Sequence, residues 1–223
     1  MPKVSAIISA YYCEQYIAGA IMNLMFVDEP TEIIVVCQSG SDEEKIAQAT
    51  LRDAPLSKII TTPCIPTIYK AWNLGIRAAS GKYVTNANSD DRVYPDSYHH
   101  MAMLMDKELD VHMVYGDVRE TQSKRIRRFE GHGLSDMLDH CYGSPMPMWR
   151  KEVHDQIGYF DESYHVAGDL EFWLRMLSNG YNLEHCGFVV GDYSVREDSA
   201  EHREPLRTLQ ETMRARSKYK KAR

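Results

Sequence analysis

The sequence predicts an α/β fold built on a mostly parallel sheet with helices on its faces, and three observations carry that expectation. Over the first hundred residues, β-rich runs alternate with segments whose apolar residues recur at helical spacing. One of those runs, Glu32-Ile33-Ile34-Val35-Val36-Cys37, is apolar almost throughout, the pattern of a strand covered on both faces. A chain of 223 residues is also long enough to bury a substantial core as one domain.

Val4 to Ser9 is the first expected strand. Glu14 to Met25 follows as a helix, because Ile17, Ala20, Ile21, Leu24 and Met25 fall on one face. The Glu32 strand ends in a polar turn, Gln38-Ser39-Gly40-Ser41, and a helix is expected from Asp42 to Leu51. Lys58 to Thr62 reads as a weaker third strand. Ile68 to Ala79 is the next helix, with Ile68, Ala71, Trp72, Gly75 and Ile76 at helical spacing. Lys82-Tyr83-Val84-Thr85-Asn86 then leaves the Gly81 turn as a buried strand. A further helix is placed near Pro95, where a proline suits the first turn because its missing N–H is not needed there. In sheets of this kind the ligand sits beyond the carboxyl ends of the strands, near a switch in strand order. Tyr11, Gln38 and Asp90 all stand at such ends.

The second half alternates less regularly. Val111 to Tyr115 reads as a strand ended by Gly116-Asp117, and the segment up to Gly143 as a loop with one helical turn. Lys124-Arg125-Ile126-Arg127-Arg128 is a basic cluster, read either as a solvated face or as a contact for an anionic ligand. Gly168-Asp169 opens a helix with Leu170, Trp173, Leu174 and Leu177 as its buried stripe, stopped at Asn179-Gly180. The tail from Arg203 reads as a basic helix. The expected organisation is one domain over 1–223, with a ligand-binding half at 1–117, a second half at 118–202 and the tail at 203–223.

Composition excludes several classes. A formal net charge of −6 gives no support for nucleic-acid binding. Five scattered cysteines without a CxxC pair argue for reduced thiols rather than a disulfide framework or a zinc site. No stretch approaches the ~20 apolar residues of a membrane span. These features suit a soluble, cytoplasmic protein. The basic tail is read as a solvated helix or, alternatively, as a peripheral contact with anionic lipid.

The densest chemistry lies in Asn88-Ser89-Asp90-Asp91. Two adjacent carboxylates at the end of a buried strand repel each other unless a cation sits between them. Hard oxygen ligands suit Mg²⁺ or Mn²⁺, which bridge protein carboxylates to substrate phosphates. The competing reading is a solvated turn that caps a helix.

Val4 to Tyr12, Glu32 to Asp42, Asn73 to Asp91 and Gly158 to Arg175 resemble, in order, the signature stretches of family 2 glycosyltransferases, over about residues 3 to 195. The resemblance implies the GT-A fold, an inverting mechanism, a nucleotide-sugar donor, a glycan or lipid-linked acceptor, and Mg²⁺ or Mn²⁺. Ser9-Ala10-Tyr11-Tyr12 stands where the family usually has Pro-Thr-Tyr-Asn, which puts Ala10 and Tyr11 beside the nucleotide base and Glu14 at a recurrent acidic position. Asn88-Ser89-Asp90 stands at the DxD motif, with Asp90 as the metal carboxylate, and Asn73 heads the segment leading to it on the donor side. Asp169 stands at the catalytic aspartate, with Gly168 in place of the usual glutamate. Glu171 and Arg175 fall in the acceptor-side region, and Trp149 near it is read as core or as a surface for stacking on a sugar. His202 is read as a late metal ligand or a surface residue. The chain departs from the family at Cys37-Gln38, where an aspartate pair usually holds uracil; the Gln38 amide, donor and acceptor at once, can still pair with a base edge. Trp72 replaces a common arginine.

Two other functions compete with sugar transfer. Nucleotidyl transfer is weakened by the lack of a Gly-rich phosphate loop after the first strand. A module that binds nucleotide-sugar without turnover is supported by Cys37, Gln38 and Asn88, and opposed by Asp90, Asp91 and Asp169.

Overall fold

A computed structural model of the chain describes residues 2–65, 67–131, 133–143, 145–196 and 203–220. The first half follows the expected alternation: β1 Val4–Ala10, α1 Glu14–Met25, β2 Thr31–Gln38, α2 Asp42–Thr50, β3 Ser57–Thr62, α3 Ile68–Ala78 and β4 Tyr83–Asn86. Next come β5 Arg92–Val93, α4 Ser97–Lys107, β6 Val111–Glu120, β7 Ile126–Arg127, α5 Leu134–Asp139, β8 Met148–Arg150 and α6 Val153–Ile157. α7 Gly168–Ser178, β9 Asn182–Tyr193 and α8 Pro205–Tyr219 close the chain.

The sheet order is β3-β2-β1-β4-β8-β6-β9-β5, with β7 paired to β6. β1 is parallel to β2 and β4, and β2 to β3, whereas β8 runs antiparallel between β4 and β6. The chain therefore winds outward through β1, β2 and β3, then returns to the other side of β1. Right-handed crossovers put α1 and α2 on one face and α3 on the other. The side chains agree. Val4, Ala6, Ile8 and Ala10 pack with Ile17, Ile21 and Leu24 of α1, while Ile7, Ile34 and Val36 pack with Tyr69, Trp72 and Ile76 of α3. The order switches between β1 and β4, so the crevice beyond their carboxyl ends is where this topology opens a ligand site.

Two readings of the sequence need correction. α4 begins at Ser97 rather than at Pro95, whose carbonyl instead accepts the Asp28 N–H at 2.8 Å. β6 does not end at Gly116-Asp117 but runs on to Glu120. Gly116 permits this by lacking a side chain, since a Cβ there would lie 2.5 Å from Val190 and 2.6 Å from the Cys186 sulfur. The basic cluster fits its reading as a solvated face: it is an exposed hairpin arm in which Arg127 pairs with Glu120 and Arg128 with Asp117.

The sheet edge opposite the crevice is pinned by one buried carboxylate. Glu32 accepts hydrogen bonds from the Ser5 and Ser80 hydroxyls and the Ser80 N–H, and pairs with Lys58 at 2.6 Å. Burial alone would raise its pKa, but Lys58, Ser5 and Ser80 outweigh that and hold it at about 2. Because the folded value lies below the unfolded one, this contribution to stability is fully present above about pH 4.5 and is lost as the pH falls through about 2. Glu32→Gln is expected to cost on the order of 2–3 kcal/mol at neutral pH. Its unfolding free energy should converge on that of the wild type as acid is added. Parallel stability curves for the two proteins from pH 7 to pH 2 would count against this account.

Candidate active site

At the end of β1 the chain turns sharply. Ala10 is buried in the strand, and Tyr12 takes a left-handed backbone with φ of 51°. That turn throws two aromatic rings to the surface 4.2 Å apart, with Tyr11 44% and Tyr12 73% exposed. The turn is anchored below by the buried Glu43 of α2, which accepts the Cys13 N–H at 3.2 Å. Glu14 starts α1 in the open, and Gln38 lies half-buried at the end of the neighbouring β2. Ala10, Tyr11, Glu14 and Gln38 thus share the crevice edge.

Across the switch point, β4 runs into Asn88-Ser89-Asp90-Asp91, where the two carboxylates do not pair. Asp91 is buried, its oxygens accepting the Ser194 N–H and the Asn88 amide, each at 2.9 Å. Burial pushes its pKa up to about 7, against the pull of those two bonds. Arg92 clamps the same turn by donating to the carbonyls of Ser89 and Asp91. Asp91 and Arg92 therefore build the turn, and Asp90 is left half-exposed at the edge, its Oδ2 3.5 Å from Arg196. Asn88 is committed to Asp91, so the position that would carry the first acid of the motif supports the turn.

Asp169 sits at the second position of α7, with Ala167 as the N-cap. Its Oδ1 accepts the Leu170 N–H at 2.8 Å and lies 3.4 Å from the Tyr69 hydroxyl, which also donates to the Val166 carbonyl at 2.7 Å. Tyr69 lies in the first turn of α3. A helix entering from a parallel strand starts at the carboxyl edge of the sheet, so this contact holds Asp169 on the same edge as Tyr11 and Asp90. Gly168 explains the missing glutamate: a Cβ there would stand 2.7 Å from the Tyr69 ring. The ring takes the space the side chain would need. Burial raises the Tyr69 pKa well above its ordinary value, so the hydroxyl stays a donor toward Asp169.

The acceptor-side residues are mostly inside the protein. Trp149 is fully buried, with its indole N–H on the His154 Nε2 at 2.9 Å, so it packs the core and cannot stack on a sugar. Glu171 and Arg175 form a buried pair at 2.7 Å within α7. Glu171 also accepts the Tyr219 hydroxyl, and Arg175 donates to the Ile157 carbonyl. Both are tied up between α6, α7 and α8. Asn73 is likewise buried, its amide exchanging hydrogen bonds with the Phe160 backbone and donating to Glu162. It fastens α3 to the 158–162 turn instead of facing a donor. His202 lies outside the described residues.

Among the described residues, no group of three or more His, Cys, Asp or Glu side chains is placed to hold a metal ion by itself. A lone edge carboxylate is nonetheless a fitting ligand for Mg²⁺ or Mn²⁺, which keep waters and complete their shell with one or two carboxylates and substrate phosphates. Asp90 meets that description. Sequence reasoning missed Tyr69, Arg92 and Glu43, since their roles arise from contacts between distant segments; Gly168 in a position usually held by an acid was the one available signal.

The Glycosyl transferase family 2 model matches residues 5–164. A Bacillus subtilis (strain 168) glycosyltransferase, YwdF, is 25% identical over 216 residues, covering 88% of this chain and 76% of its own length. A Mycobacterium tuberculosis (strain ATCC 25177 / H37Ra) PGL/p-HBAD biosynthesis glycosyltransferase is 25% identical over 167 residues, 72% of this chain and 64% of that protein. Among solved structures, S. aureus TarS 1-349 in complex with UDP-GlcNAc superposes with a TM-score of 0.79 at 19% identity, over 96% of this chain and 65% of that one. The mannosyltransferase PcManGT from Pyrobaculum calidifontis, in complex with GDP-Man and Mn²⁺, gives 0.75 at 18% identity, over 97% and 64%. The chain thus spans about two-thirds of the length of these structures, and the likeness identifies its fold as GT-A.

Proposed function

The chain belongs to glycosyl transferase family 2, and from that premise we propose that it moves a sugar, with inversion, from a nucleotide-activated donor to an acceptor hydroxyl. One observation carries the reading: the strand-order switch between β1 and β4 is flanked by an exposed aromatic pair and an edge carboxylate, with Asp169 on the same edge. The Tyr11 and Tyr12 rings suit the face of a nucleobase, and Gln38 its edge. Asp90 is the residue to hold Mg²⁺ or Mn²⁺ against the donor diphosphate, where the cation would stabilise charge on the leaving group. Asp169 takes the proton of the acceptor hydroxyl as that oxygen bonds to the anomeric carbon. The bond to the diphosphate breaks on the opposite face, which inverts the anomeric centre. The positive end of the α7 dipole favours the ionised state this role requires. A pure binding module would release no nucleoside diphosphate. Release from one member of a panel of nucleotide-sugars, in the presence of metal and acceptor, is the expected result, and a panel that binds without release would overturn the proposal.

Gln38 sets the base preference in this scheme. No carboxylate stands there to accept the uracil N3–H, so uridine should be favoured less strongly than an acidic pocket would favour it. Competition binding of uridine, guanosine and cytidine diphosphates measures this. A strict uridine requirement untouched by Gln38→Ala is the result that would sink it.

We propose further that the outer face of α8 meets anionic lipid, as a lipid-linked acceptor would require. Leu206, Leu209 and Met213 are exposed there at helical spacing, with Arg207 exposed on the same helix and Lys220 exposed just past its end. Such a stripe with basic flanks suits the interface of an acidic bilayer. Co-flotation with phosphatidylglycerol vesicles, lost on Leu206→Asp with Met213→Asp, is expected; equal binding to neutral vesicles would refute the electrostatic part. Among the described residues no helix is long and apolar enough to cross a membrane.

A further inference from the structure

α8 has an inner face as well, and that face reaches the segment carrying Asp169. Ala215 is fully buried against α7, the Tyr219 hydroxyl donates to Glu171 at 2.7 Å, and the Arg214 guanidinium lies 3.6 Å over the Tyr164 ring. At the centre is Glu211, 7% exposed. Its carboxylate accepts three consecutive backbone N–H groups, those of His165, Val166 and Ala167, at 2.8–3.1 Å.

A run of successive N–H groups aimed at one anion is a strong electrostatic arrangement, and here the anion is a side chain from the far end of the chain. At the start of α7 the N-cap Ala167 has no side chain to accept a hydrogen bond; Glu211 takes the Ala167 N–H itself, and the Leu170 N–H goes to Asp169. The Val166 peptide is thus gripped from both sides, its N–H by Glu211 and its carbonyl by Tyr69. Asp169 follows three residues later.

We propose that Glu211 is a positioning residue for the reaction: from the C-terminal helix it fixes the backbone that aims the Asp169 carboxylate at the acceptor. The inference rests on Asp169 being the base. Burial pushes the Glu211 carboxyl up, and the Val166, Ala167 and His165 N–H bonds outweigh this and keep it below its ordinary range, so the clamp is anionic at neutral pH. Without it, the turn before α7 keeps the Tyr69 contact alone on the Val166 peptide, and Asp169 gains freedom that a proton transfer in the transition state does not tolerate.

Four variants of the 223-residue chain test this. Glu211→Gln keeps the size and removes the charge; it should lower the transfer kcat by about tenfold or more, since sub-ångström to ångström misplacement of a reacting group costs up to ~10²-fold. The donor KM should stay within about twofold, because the donor is held at β1, β2 and β4. Tyr219→Phe loosens the same helix without touching the three N–H groups, and should leave kcat within about twofold. The decisive comparison is Glu211→Gln in an Asp169→Asn background, where it should change the residual rate little, as nothing is left to aim. Should Glu211→Gln melt too low to assay, Glu211→Asp, a charged clamp one methylene shorter, carries the same comparison with a smaller loss. A wild-type kcat in folded Glu211→Gln, or an equal fold loss in both backgrounds, would overturn the inference. Near-wild-type transfer by Asp169→Asn is a different failure, that of the base assignment, and takes this inference down with it.

Discussion

Asp169→Asn should yield a folded protein that binds its donor and scarcely transfers sugar. Asparagine keeps the size of aspartate, and its Oδ1 can accept the Leu170 N–H and the Tyr69 hydroxyl as before. What it gives up at the start of α7 is the favourable meeting of a negative charge with the helix dipole, worth about 0.3–1 kcal/mol. The melting temperature should therefore move by only a few degrees, on the order expected for ~1 kcal/mol in a domain of this size. The amide cannot take a proton from the acceptor hydroxyl, and general-base assistance contributes about 10²–10⁴-fold in rate. Measured together, kcat, donor affinity and melting temperature should show the first collapsing and the other two holding. Transfer at close to the wild-type rate would reduce Asp169 to a support for its own helix. Glu171 could not replace it, because that carboxylate is already taken by Arg175 and Tyr219.

Asp90→Asn should abolish the response to Mg²⁺ or Mn²⁺ along with most of the activity. The 88–91 turn would survive, because Asp91 and Arg92 make the bonds that shape it. Removing the Asp90 carboxylate leaves the leaving diphosphate without its cation anchor, and losing a charge-stabilising partner of that kind typically costs about 10²–10³-fold. Arg196 near the same edge gives the amide a neighbour but supplies no metal ligand, since guanidinium is a donor only. Asp91→Asn should behave differently, lowering the melting temperature first, as it breaks into a buried bond set. Titrating the metal against wild type and Asp90→Asn, with turnover and donor binding as readouts, separates the two carboxylates. Full wild-type turnover in excess chelator would remove the metal from the scheme.

The parallel half of the sheet was legible because its strands and helices carry their own periodicity: β1, β2, α1 and α3 stand where the apolar spacing puts them. The second half was not. β9, the longest strand, is broken by Gly187 in a left-handed turn and shifts register against β6, so no uniform alternation marks it. β8 has three residues, too few for any pattern. Among the candidate positions, those at strand ends could be placed directly, as with Tyr11, Gln38 and Asp90. Burial could not. Asn73 is placed on the donor side by its neighbourhood in sequence, and Trp149 is left between core and sugar stacking; bonds to Phe160 and His154 put both inside. Tyr69 and Glu211 act on a segment about 100 and 45 residues away, a distance over which a single sequence carries no pairing signal.

The contact between Gly168 and Tyr69 has a consequence for how this chain can change. An acid at 168, the residue usual at that place in the family it resembles, cannot be introduced while the Tyr69 ring rests on the backbone, since even a methyl group there meets three ring carbons at 2.7–2.9 Å. A smaller residue at 69 in turn empties a buried site and drops the hydroxyl from Asp169. Each single step is harmful, and the two together need not be. Positions 69 and 168 are therefore locked as a pair: a mutational route between this site and the acid-bearing version must cross a valley or take both steps at once, and a substitution scan made one residue at a time would misjudge both.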